Sequence, residues 1–167
     1  MPKTQNKKRE IEFSIKSIKV LEFHESNPST LPLSESEELN SKSTVRYELG
    51  FKPPEDLILF RIYTHFFHES EGEKYPLFSL TSEYAFEVKH FKELFKKTNS
   101  DEFDVPHELL VIFINIAIAG TRGMIVASIR NDRYKNIYLP IFNPQKLLQN
   151  LLEQQLKNVK EEKQKGV

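Results

Sequence analysis

Hydrophobic and polar positions alternate over residues 11–16, with Ile11, Phe13 and Ile15 on one face against Glu12, Ser14 and Lys16, the period of a half-buried strand. After Ser17 the apolar positions slip by one, to Ile18 and Val20, as the extra residue of a β-bulge would cause, and Leu21 and Phe23 open another short register. Residues 22–40 hold five carboxylates, Glu22, Glu25, Glu35, Glu37 and Glu38, with no Lys or Arg. With Asn27-Pro28 and Leu31-Pro32 as turn makers, this stretch reads as an acidic loop. Alternation returns over 44–51, Val45, Tyr47 and Leu49 inward against Thr44, Arg46 and Glu48, and ends at Gly50 and Pro53-Pro54. Residues 57–67 are the most β-prone, with Ile58, Phe60, Ile62, Thr64 and Phe66 on one face, and predict a central strand. A polar turn over 69–74 and a return strand over 75–88 complete a hairpin with a somewhat long loop.

The period then changes. Phe91, Leu94 and Phe95 predict a short helical turn over 90–97, ended by Asn99-Ser100-Asp101. Asp104 as N-cap, Pro106 in the first turn and Glu108 at the positive end predict a long helix from about Val105. From Leu109 to Ile129 apolar residues go almost all the way round, as in a helix covered on more than one side. A run of about 21 residues at about 1.5 Å each would also cross a ~30 Å hydrocarbon core. Asn115, Thr121 and Arg122 argue against that, because a central charge costs a few kcal/mol in a bilayer. The helix is read as buried between protein layers at a subunit interface. After a polar break at 130–133, Asn143 as N-cap and Pro144 in the first turn start a final amphipathic helix. Its stripe is Leu147, Leu148, Leu151, Leu152, Leu156 and Val159, fading into a charged tail over 160–167.

These elements predict an α+β fold: a four-stranded antiparallel sheet followed by a long helix, a connector and a C-terminal amphipathic helix. At 167 residues one domain suffices, set here at 11–159, with residues 1–10 a disordered basic tail. Lys+Arg and Asp+Glu both number 24, so the charge cancels and the basic field of a nucleic-acid binder is missing. With no Cys and no apolar core after Met1-Pro2-Lys3-Thr4-Gln5, a cytoplasmic location is expected.

Candidate chemistry is sparse. His65 and His68, three positions apart on the predicted central strand, point to opposite faces and cannot share a metal without a bulge, so they read as surface or rim histidines. Gly120-Thr121-Arg122-Gly123 lacks the phosphate-loop pattern and follows a helical run, so close helix packing or a helix end explains it better. No nucleophile elbow or acid–base pair stands out. Neither an enzyme, a cofactor nor a metal is expected. What stands out is aromatic and aliphatic surplus: 13 Phe and 6 Tyr, with Tyr134, Ile137, Tyr138, Ile141 and Phe142 clustered around the connector. An exposed apolar groove that takes extended peptides is the reading.

The order of motifs resembles the SecB family of export chaperones over roughly residues 11–156. Phe13-Ser14-Ile15-Lys16-Ser17-Ile18 followed by Asn27-Pro28 is similar to the family's first strand and turn. Pro106, Thr121-Arg122-Gly123 and Leu139-Pro140-Ile141-Phe142-Asn143-Pro144 with Leu147 resemble its long helix, its Arg-Gly step and the start of its last helix. The resemblance implies a homotetramer, a dimer of dimers with long helices sandwiched between sheets, acting as an ATP-independent holdase for unfolded proteins or preproteins. By position it implies a groove at Val45, Tyr47, Leu49, Phe78, Leu80, Leu148 and Leu152 besides the connector residues. It likewise implies a subunit interface at Ile15, Ile18, Ile112, Ile116 and Arg122. The chain departs from the export branch in being neutral and in its longer span from Pro106 to Pro140. That places it nearer the divergent branch, some of whose members accompany toxin–antitoxin systems, so the client is a preprotein delivered to SecA or a dedicated one such as an antitoxin. The alternative is a scaffolding homo-oligomer whose apolar surface is wholly used in assembly.

Overall fold

The structure, a computed structural model, describes residues 11–34, 38–95 and 105–150. Both tails, Asn99 to Asp101, Asp104 and the stripe residues Leu151, Leu152, Leu156 and Val159 lie outside these. Four strands form one antiparallel sheet: β1 (Phe13–Glu25), β2 (Ser41–Lys52), β3 (Leu57–Ser70) and β4 (Glu73–Val88), in the order β1-β4-β3-β2. The elements are those expected, and β3 is central as expected.

The slip in β1 is a pair of bulges. Register with β4 shifts between Ile15 and Ser17 and again between Val20 and Glu22, leaving Lys16 and Leu21 as the extra residues. Each insertion resets the two-residue period, so Phe13, Ile15, Ile18, Val20 and Phe23 all oppose inward positions of β4, from Val88 to Leu80. Two boundaries differ from the sequence reading. β1 continues to Glu25, taking Glu22 and Glu25 out of the acidic loop. The β3–β4 hairpin closes on only Glu71 (φ 52°) and Gly72 (φ 82°), both left-handed, as tight two-residue hairpins require, rather than on a long loop.

A short helix α1 (Phe91–Leu94) buries Phe91, and the following Phe95 is buried with it, the two rings 4.8 Å apart. The long helix α2 (His107–Ser128) begins with the Pro106 carbonyl accepting from the Leu109 and Leu110 amides. It runs straight through Gly120 and Gly123, so neither glycine ends it. A final helix, α3, covers 144–150. Asn143 caps it as expected, its side-chain oxygen accepting from the amides of Gln145 and Lys146 at 3.0 and 3.3 Å.

α2 lies over β3 and β4 on the inward face. Phe113 stacks on Phe86 with ring centroids 4.2 Å apart, and both Phe60 and Phe13 present edges to it. Beyond the aromatic cluster, Thr121 enters the sheet. Its hydroxyl meets Ser82 Oγ at 2.9 Å and Tyr84 Oη at 3.1 Å, and donates to the Ala117 carbonyl at 2.8 Å. Burial pushes the Tyr84 phenol up, with the Thr121 and Ser82 hydrogen bonds pulling the other way. The outward face is polar and paired: Lys19, Glu83, Arg61 and Glu48 stand in one row across the four strands. Arg61 reaches Glu83 at 2.6 Å, Tyr63 Oη donates to Glu48 at 2.7 Å, and Arg46 covers the Tyr63 ring.

Candidate apolar binding surface

The connector after α2 opens with a 3-10 turn, Asp132–Tyr134, and only from Ile137 to Pro140 do buried and exposed side chains alternate. Tyr134, Ile137 and Leu139 point into the core, while Tyr138 (62% exposed) and Ile141 (92% exposed) point away from it. Three devices hold the connector in place. Arg122, on α2, donates from Nε to the Leu139 carbonyl at 3.2 Å and from its terminal nitrogen to the Pro140 carbonyl at 2.5 Å. Tyr134 Oη donates to the Ser26 carbonyl at 3.2 Å, and the Arg130 amide donates to the Glu25 carboxylate at 3.0 Å. Tyr47 on β2 then donates to the Leu147 carbonyl at 2.5 Å, tying α3 to the second strand. Burial pushes the Tyr47 phenol above its ordinary range.

The sequence-derived groove residues thus separate into groups. Tyr138 and Ile141 are open, and Phe142, Val45, Tyr47 and Leu49 are half-buried and packed on the core beneath. Phe78, Leu80, Tyr134, Ile137 and Leu148 are core residues in this chain, not surface. The reason is geometric: strand register turns Phe78 and Leu80 inward, the 3-10 turn and the stretch after it do so for Tyr134 and Ile137, and α3 lays Leu148 on the core, so only the tertiary packing fixes which side is buried. Leu152 lies outside the described residues.

The interface residues divide similarly. Ile15, Ile18 and Ile112 are exposed, as are Val20, Leu21 and Val126, which the sequence reading did not single out. Ile116 is half-buried against the core. Arg122 is half-buried, with its guanidinium bonded within the chain to the connector carbonyls. Hydrogen bonds from a charged donor contribute about 1.5–3 kcal/mol when buried, and less where solvent reaches them. Arg122→Ala is therefore expected to cost ~2 kcal/mol. It should also speed amide exchange at residues 137–141 far more than in the sheet. Uniform exchange at the two places would show that the clamp does not hold the connector.

His65 is exposed on the outward face as expected, but His68 is not a rim residue. It is buried, with Nδ1 accepting from the Asn40 amide at 3.1 Å. Among the described residues no group of three or more His, Cys, Asp or Glu side chains converges.

No protein-family model and no curated protein matches the chain. Among solved structures, the chain is similar to a SecB-like chaperone. That protein, Rv1957 of Mycobacterium tuberculosis in complex with a ChAD peptide from the Rv1956 HigA1 antitoxin, aligns with TM-score 0.44 and 11% identity over 78% of this chain and 90% of that one. A Streptococcus agalactiae protein of unknown function aligns with TM-score 0.28 and 10% identity, covering 79% of this chain and 99% of that one.

Proposed function

We propose that this protein is an ATP-independent holdase that binds unfolded segments of other proteins on the apolar surface around its connector, working as a homo-oligomer. The observation that carries this reading is the pinned connector. Arg122 and Tyr134 fix the backbone so that the neighbouring Tyr138 and Ile141 side chains stay out in water. Holding apolar groups in water costs about 25 cal/mol per Å², a cost relieved when an extended apolar peptide covers them.

The exposed apolar residues of β1 and α2 support assembly through that face. α2 is long and apolar enough to cross a bilayer. Because Leu109, Phe113, Ala117, Thr121 and Ile125 are already committed to the sheet, a second protein layer suits its remaining face better than lipid. On the outward face, ion pairs answer the carboxylates of Glu48, Glu83 and Glu87. That favours a dedicated client, such as an antitoxin, over docking on a basic partner in export.

The test is light scattering from a chemically unfolded, aggregation-prone protein diluted into the full chain without nucleotide. Suppression is expected near stoichiometric ratios, and Ile141→Glu, a substitution at an almost fully exposed position, should weaken it at least several-fold while leaving the melting temperature within a degree or two. Equal suppression by the variant would move the binding surface elsewhere. No suppression at any ratio would sink the general holdase reading and leave either the dedicated-client form or the alternative, a scaffolding oligomer whose apolar surface is used up in assembly.

A further inference from the structure

Sheet register brings together two histidines that are 41 positions apart in the sequence. On the outward face, Ser79 of β4 opposes His24 of β1 on one side and His65 of β3 on the other. The three side chains stand in one row, and all three line the same open cleft of about 180 Å³. Both imidazoles are exposed, and neither makes a hydrogen bond or ion pair among the described residues. His65, whose neighbour His68 faces the core, thus has a different partner across the sheet.

We propose that His24 and His65 form a binding site for a divalent transition metal of the kind that prefers imidazole, such as Zn²⁺ or Ni²⁺. Strands two apart are separated by about 9.5 Å, a gap that two imidazoles leaning over a small residue close with two metal–nitrogen bonds of about 2.1 Å. Serine at position 79 is the reason they can lean: a large side chain there would fill the space between the rings. Water completes the coordination, leaving an open, exchangeable site instead of a closed structural one. Glu22, two residues before His24 and on the same face, adds negative charge nearby. The one cation on the rim, Lys74, has its ammonium held over the Phe67 ring at 4.8 Å. The site lies on the opposite face of the sheet from α2, so it is independent of the apolar binding surface.

Titration of the full chain with NiCl₂ and with ZnCl₂, followed by calorimetry, should give one ion per chain. His24→Ala and His65→Ala should each weaken binding by at least the roughly 10- to 100-fold seen when only an outer-shell partner is lost. His90→Ala and His107→Ala should leave it unchanged. Ser79→His, which adds a third imidazole between the other two, should tighten binding by a similar factor. All these side chains are exposed or half-buried, and circular dichroism checks that each variant folds. Binding that survives both His24→Ala and His65→Ala, or that falls equally in the His90 and His107 variants, would overturn the proposal, as would failure of either salt to bind.

Discussion

Phe113→Ala is expected to remove about 3–5 kcal/mol of stability, the usual cost of truncating a fully buried phenylalanine. Its side chain is fully enclosed. The Phe113 ring stacks on Phe86 at 4.2 Å, receives Phe13 edge-on at 4.9 Å and faces Phe60 at 6.3 Å. Truncation leaves a cavity between α2 and the middle of the sheet and dissolves several aromatic pairs, each contributing about 0.5–1.5 kcal/mol beyond its buried area. A domain of this size is stable by only about 5–15 kcal/mol, so the change takes a large share. Urea unfolding should show a sharply lowered midpoint with little change in slope, and Phe113→Leu should recover more than half the loss. A drop below about 1 kcal/mol would mean that α2 does not pack on β4 at this point.

The second large effect runs against helix propensity. Ala normally stabilises a helix interior over Gly by about 1 kcal/mol, yet Gly120→Ala is expected to destabilise. A Cβ there would sit 2.6 Å from Tyr84 Oη and 3.0 and 3.1 Å from two ring carbons. Tyr84 cannot swing away: it is fully buried, and its hydroxyl is held at Thr121, which is itself held to Ser82 and to the Ala117 carbonyl. Overpacking of this kind costs about 1–3 kcal/mol and outweighs the propensity gain. Gly123→Ala is the control. Nothing lies within 4 Å of a Cβ at that position, so the same change three residues on should stabilise the chain by about 1 kcal/mol. Tyr84→Phe, which removes the nearest atom, should rescue Gly120→Ala in a double-mutant cycle with a coupling of about 1 kcal/mol or more. Additive effects would show that the helix reaches the sheet less closely than the structure places it.

Much of the fold was legible before any coordinates, because its signals are local. The slip from Ile15 to Ile18 revealed a bulge in β1, since the side-chain period of a strand is two and only an added residue breaks it while keeping one face apolar. Asn143-Pro144 marked the start of α3 for an equally local reason: a side-chain acceptor and a preset φ act within one turn. The candidate surface was less legible. Tyr138 and Ile141 were found by composition, but Phe78, Leu80, Ile137 and Leu148 carry the same composition and lie in the core.

By itself, then, the sequence determined the kinds of element and their order, the alternation within the first three strands, the capped start of the last helix and the apolar excess that points to binding. Only the tertiary structure decided how those elements spend their side chains. Arg122 goes to the connector carbonyls, Gly120 makes room for Tyr84, His68 turns inward, and His24 and His65 flank Ser79. Periodicity reports which residues share a face of one segment, whereas these pairings join residues tens of positions apart. They follow from strand order and register, which no single segment encodes.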